Sequence, residues 1–282
     1  MVELLSRAKM APLHLEAESY RWRTERVAVF GKQLEAHISH TRHLTFSGHH
    51  LSTVVDRPLS PTSTLESLSL ISSLLGYPII LNNLFNLTAP SLTILKLVKY
   101  DIDWKSPLLK GPRTLEILGL STKARPELNY WLDALNDLPK LKELSLRSVT
   151  PVAPLAGPLI SRTVTLPSLT HFGIDESAKG CVFALAHLVL PNLTQLHVDV
   201  KSHDRKGVDV LLVIPHVVRH VWVMHGIEPI QSILIAGERK DTKILTWTTP
   251  GADVDWTPRK ICHAPHVCSS LQKVIGGKNH NF

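Results

Sequence analysis

The chain has 282 residues, 44% of them hydrophobic and 20% charged, which supplies a core and excludes a disordered or low-complexity chain. Its net charge of +7 permits acidic or nucleic-acid partners, but Lys and Arg are scattered without a long block, so nucleic acid is not the favoured partner. Three cysteines, Cys181, Cys262 and Cys268, form no disulfide framework, MVELLSRAKM lacks the apolar core of a signal peptide, and no apolar run reaches membrane-spanning length, so the expectation is a cytoplasmic or nuclear chain with no membrane partner.

In chain order, residues 2–9 carry Leu4 and Leu5 among polar residues and predict a short helix. It leads to an opening strand at Leu13-His-Leu15. Over 26–38 the loosely helical spacing of Val27, Val29, Phe30, Leu34 and Ile38 predicts an outer helix. Leu44-Thr-Phe46 reads as the next strand, and 49–62, with Pro58 and Pro61, as a loop. Residues 71–87 are apolar but interrupted by Gly76-Tyr-Pro78, which predicts a broken or short helix. The clearest helix is 125–135: Pro126 suits a first turn, Glu127 complements the amino-terminal dipole, and Leu128, Trp131, Leu132 and Leu135 share a face until Pro139. Residues 181–188 and 208–214 hold the matching place later on, and Leu245-Thr-Trp247 reads as a final strand. From 249 to 282 Pro250, Gly251, Pro258, Pro265, Gly276 and Gly277 break the pattern, predicting a cap and a loosely ordered basic tail.

One phrase returns along the chain. Leu190-Pro-Asn-Leu-Thr-Gln-Leu-His-Val198 repeats Leu166-Pro-Ser-Leu-Thr-His-Phe-Gly-Ile174, Leu138-Pro-Lys-Leu-Lys-Glu-Leu-Ser-Leu146 and Ala89-Pro-Ser-Leu-Thr-Ile-Leu-Lys-Leu97. The shared L-x-x-L-x-L frame is anchored at Leu65, Leu92, Leu115, Leu141, Leu169, Leu193 and Val218, with gaps of 27, 23, 26, 28, 24 and 25 residues. That period is the one leucine-rich repeats keep. In L-x-L the two leucines point to one face of a short strand and the residue between them to the other. A lone strand cannot hide its leucines, but strands stacked in parallel beneath an outer layer of helices and turns bury them in one continuous core. The expected fold is therefore α/β, an irregular leucine-rich-repeat solenoid of about eight to ten degenerate repeats over 1–248. Parallel strands line its concave face, helices and turns its convex face, and 249–282 form the cap and tail.

Many such repeats place Asn or Cys three residues past the last strand leucine, where it bonds backbone along the turn. Here those positions hold Ser73, Tyr100, Lys123, Val149, Ser177 and Lys201. Other groups must then satisfy the turns. The phrases TAPSLTILKLVKYDIDWKSPLLKG (88–111), RPELNYWLDALNDLPKLKEL (125–144), and RTVTLPSLTHFGI with ALAHLVLPNLTQL resemble the repeat region of basidiomycete F-box proteins, a likeness that covers most of the chain. The resemblance implies a receptor that holds a protein for ubiquitination, coupled through an F-box to a Skp-type adaptor and a cullin ligase. In that family a helical F-box module precedes the repeats, and MVELLSRAKM does not form one, since a helix bundle needs more than one short segment. The adaptor and ligase are thus expected only where an F-box is supplied upstream.

Residues flanking and between the strand leucines should face a partner. They include Glu143 and Arg147, His171 and Asp175, Gln195, His197 and Asp199, then His220 and Trp222. This mix of acid, base, imidazole, amide and indole suits the centre of a protein interface, where Trp and Arg anchor and charge fixes register; the plainer reading is that an outward strand face must be polar anyway. Cys262-His-Ala-Pro-His-Val-Cys268 holds four donor side chains in seven residues, but adjacent Cys and His do not readily reach one tetrahedral ion and the spacing matches no common zinc finger. No H-E-x-x-H, G-x-S-x-G, Walker or dinucleotide fingerprint occurs. The expectation is a non-enzymatic binding protein with no cofactor and no metal.

Overall fold

The computed structural model describes residues 11–20, 22–48, 62–72, 79–80, 88–120, 125–151, 162–201, 208–222, 232–238 and 241–247. The chain divides into two compact units, Met1–Val149 and Thr150–Phe282. The repeat region read over 1–248 thus spans both.

In the first unit β1 (Leu13–Glu18) leads into α1 (Thr24–His37), a 3-10 turn (Ile38–His40) and β2 (Thr41–Gly48). Then come β3 (Ser67–Ser72), β4 (Ile79–Ile80), β5 (Ile94–Val98), β6 (Tyr100–Asp101), a 3-10 turn (Pro107–Leu109), β7 (Thr114–Leu118), α2 (Leu128–Asn136) and β8 (Glu143–Arg147). The main strands pair in parallel in sequence order, β1-β2-β3-β5-β7-β8. β4 and β6 form a separate parallel pair. The L-x-L frame dictates this arrangement. Leu68 and Leu70, Leu95 and Leu97, Leu115 and Ile117, and Leu144 and Leu146 all lie on one face at 0–2% exposure. Burying one such side chain contributes about 1.5–3 kcal/mol, and no strand could gain it alone.

α1 packs on the same leucine face. Its buried Val27, Phe30, Gly31 and Leu34 recur at helical spacing, and the Phe30 ring stacks on Phe46 of β2 with centroids 5.0 Å apart. Val29, expected among the inward residues, is 48% exposed, because the helical turn carries it round to the solvent side. In α2 Trp131, Leu132 and Leu135 are fully buried, but the helix starts at Leu128 with Glu127 at the N-cap. Pro126 therefore precedes the helix instead of standing in its first turn. The 71–87 stretch, expected as a broken helix, holds strand at both of its described pieces, Ile71 and Ser72 closing β3 and Ile79–Ile80 forming β4; its other residues lie outside the described set.

In the second unit β9 (Val164–Thr165) precedes β10 (His171–Ser177), α3 (Ala178–His187), β11 (Leu188–Val189), β12 (Gln195–Lys201), α4 (Val208–Trp222), β13 (Ser232–Glu238) and β14 (Asp241–Trp247). β10 and β12 continue the parallel pattern, with Phe172, Ile174, Leu196 and Val198 buried; β9 and β11 form a small parallel pair. Two expectations are corrected here. The frame anchored at Val218 is helix, because Val213, Ile214, Val217 and His220 are buried at helical spacing along a fifteen-residue element. The strand predicted at Leu245-Thr-Trp247 does form, but β14 runs antiparallel to both β12 and β13: β13 and β14 are separated by too few residues for a parallel crossover, and it is the returning strand, β14, that pairs with β12. The mixed α/β class holds in both units; the strand pairs of the first unit are parallel, while the second combines the parallel pairs β10–β12 and β9–β11 with the antiparallel pairs β12–β14 and β13–β14.

Among the described residues, a ladder that the repeated phrase itself encodes ties the start of a strand to the segment before the preceding one. The residue after its proline and the Thr after its leucine reach back one repeat: Ser91 Oγ donates to the Ser63 carbonyl (2.5 Å) and Thr93 Oγ1 to that of Glu66 (3.0 Å). In the second unit Asn192 Nδ2 donates to the Pro167 carbonyl (2.6 Å) and Thr194 Oγ1 to that of Thr170 (2.9 Å). At the other end of the strands, Tyr100 joins the small β4–β6 pair, while the Lys99 and Gly119 amides donate to the carbonyls of Leu118 and Arg147, each at 2.7 Å. Ser, Thr and Asn side chains thus tie the starts of these strands, and backbone amides the ends of β5 and β7.

Candidate functional site

Opposite the leucine face, each parallel strand presents its intervening residues. In the second unit the register sets His171 beside Gln195, Gly173 beside His197, Asp175 beside Asp199 and Ser177 beside Lys201. His171, Gln195 and His197 are exposed, while Asp175 and Asp199 are half-buried. The His171 imidazole Nδ1 lies 2.9 Å from Thr170 Oγ1. Lys201, at a position where the repeat frame expects a turn, sets its ammonium 2.8 Å from the Asp175 carboxylate. Such a partly exposed pair stabilises the fold by no more than about 1 kcal/mol; its main effect is to hold both side chains in place. Gly173, beside His197, leaves the row without a side chain between His171 and Asp175.

Glu143 and Arg147 lie exposed at the two ends of β8 in the first unit, with Glu143 accepting a hydrogen bond from Thr114 Oγ1 (3.3 Å). The register brings together His171, Asp175, Gln195, His197 and Asp199 on one sheet face; Glu143 and Arg147 belong to the face of the other unit.

His220 and Trp222 are not strand residues at all. Both lie in α4, and His220 is buried with its Nε2 donating to the Leu185 carbonyl of α3 at 2.7 Å. Burial holds its imidazole below the ordinary value, Leu185 opposes that, and the charges of Arg219 and His216 add to it. It packs one helix against another. The frame misled because i,i+3 spacing belongs to a helical turn as much as to L-x-x-L.

Two further ionisable groups lie buried in the second unit. Cys181 in α3 has its thiol pushed up to about 12, first by burial and then by the nearby Glu176 carboxylate, so it carries no thiolate near neutral pH. Glu176 is itself buried and accepts from the Thr150 backbone amide (3.0 Å), closing the start of the unit onto β10. Among the described residues no group of three or more His, Cys, Asp or Glu is placed to hold a metal, and no helix is long and apolar enough to cross a membrane. Cys262 and Cys268 lie outside the described residues, as do 2–9, 49–61 and 249–282.

The two units define a protein of mixed α/β class that presents polar side chains in register along parallel strands. Comparison with family models, with curated proteins and with solved structures finds no match.

Proposed function

We propose that the chain is a non-catalytic protein-recognition module of leucine-rich-repeat type, working in the cytoplasm or nucleus, that holds a polypeptide on the polar faces of its strands. The observation that carries this reading is the row of exposed His171, Gln195 and His197 on two adjacent, fully paired strands, beside the Asp175–Lys201 pair. Rigid strands fix these donors and acceptors before a partner arrives, so little side-chain order is lost on binding. The resemblance to basidiomycete F-box proteins extends the proposal to a substrate receptor of a ubiquitin ligase. Its coupling to a Skp-type adaptor and a cullin would come from an F-box supplied upstream, whereas recognition rests on residues present here.

The test compares partners captured by the intact chain and by a His171→Ala, Gln195→Ala, His197→Ala variant, quantified by mass spectrometry at two salt concentrations. The expected result is loss of one or a few polypeptides with unchanged melting temperature. Retention of every partner by the variant would refute the surface. Recovery of nucleic acid alone, falling steeply with salt, would favour a basic nucleic-acid-binding repeat protein instead.

A further inference from the structure

The first unit carries a second surface with a chemistry of its own. At the carboxy-terminal ends of its strands the register aligns Glu18, Ser47, Ile71, Val98, Leu118 and Arg147, one residue from each of β1, β2, β3, β5, β7 and β8. The row therefore reads acid, small, three aliphatic residues, base. Glu18 and Arg147 are exposed at its ends, Ile71, Val98 and Leu118 are half-exposed, and Ser47 is buried between Glu18 and Ile71. These three lie on the face opposite Leu70, Leu97 and Ile117, which are buried in the core, and opposite the face on which Phe46 meets α1. Elsewhere on this outward face the intervening residues are mostly polar, and Lys96 and Glu116 neutralise each other at 2.9 Å. Three adjacent aliphatic side chains between opposite charges are thus a local departure from the pattern, one that a merely solvated strand face does not require.

From this row we infer that the first unit docks an extended polypeptide segment with an aliphatic centre, a basic residue at one end over Glu18 and an acidic residue at the other over Arg147. Strands lie about 4.8 Å apart, so six span about 24 Å, a length that roughly seven extended residues cover. The aliphatic stripe supplies apolar burial, and the end charges fix the direction in which the segment lies. The inference rests on reading the strand faces as recognition surfaces, but it names a row in the other unit from His171, Gln195 and His197.

The experiment measures fluorescence anisotropy of three nine-residue peptides on the full chain. Each carries Ile, Val and Leu at alternate central positions; the ends are Lys and Glu, Lys and Lys, or Glu and Glu. The Lys/Glu peptide is expected to bind roughly fivefold tighter than either of the others. Arg147→Glu, which makes both ends of the row acidic, should shift the preference to the Lys/Lys peptide, a result that reversing the peptide cannot mimic. Glu18→Lys should shift it to the Glu/Glu peptide, so either variant reports if the other fails to fold. Equal affinity for all three peptides, no binding of any, or an order unchanged by the folded variant would overturn the row. The His171→Ala, Gln195→Ala, His197→Ala variant separates the two proposals. It should bind the peptides as the unaltered chain does, and lost peptide selectivity beside an intact effect of that variant on captured partners would remove this row alone.

Discussion

Lys99 and Ser148 follow β5 and β8 with φ of 59° and 52°, a left-handed conformation that costs a residue with a Cβ about 1–2 kcal/mol. Gly119 takes the same place after β7 at φ 71° without that cost. Lys99→Gly is accordingly expected to raise stability by about 0.5–1 kcal/mol and Gly119→Ala to lower it by about 1 kcal/mol in urea unfolding. Neither sign follows from side-chain contacts. His220 gives a pH-dependent case. Its imidazole, like that of His216, is held down mainly by burial, so below the unfolded-state value of about 6.5 the unfolded chain binds more protons than the folded one. The stability associated with these two histidines is fully present above that value and is lost as pH falls from it through their lower folded-state values. Unfolding free energy should therefore decline from pH 7.5 to 5, and His220→Gln, which keeps a donor for Leu185 but does not titrate, should flatten part of the decline.

At the scale of the element, the strand is specified twice. Its leucines bury on one side, and the Ser, Asn and Thr of the preceding phrase bond the repeat before it. Thr93→Val and Thr194→Val keep the β-branched shape while deleting one bond each, and each is expected to cost about 1 kcal/mol, against about 2–5 kcal/mol for Leu97→Ala in the core. Equal costs for the two kinds of change would deny the ladder or the core its stated part. The helices are specified more loosely. α3 has a Ser177 cap whose Oγ accepts from the Gly180 amide (3.3 Å), but α1 and α2 have no side-chain cap, so their starts follow the packing of Phe30 and Trp131. This is why the boundary of α2 moved past Pro126, and why an apolar frame at Val218 became part of α4 once fifteen residues could bury one face together.

At the scale of the molecule, β3, β5 and β7 have a paired neighbour on both sides, while β1 ends the strand order beyond β2. Hydrogen exchange should therefore be slowest at the amides of Leu95 and Leu97 and much faster at His14 and Glu16; uniform protection across the first unit would contradict that order. From the sequence alone came the parallel order of L-x-L strands, the two faces of each, and the polar positions His171, Asp175, Gln195, His197 and Asp199, because alternation along a strand is a local property of the backbone. What local pattern could not supply was the direction of the last strand, the helical state of the frame at Val218, or which side chains meet across elements. Only the tertiary arrangement made β14 antiparallel, buried His220 between two helices, set Lys201 against Asp175, and drew Glu18, Ile71, Val98, Leu118 and Arg147 into one row. Those relations join residues far apart in the chain, and their energies exist only once the strands are side by side.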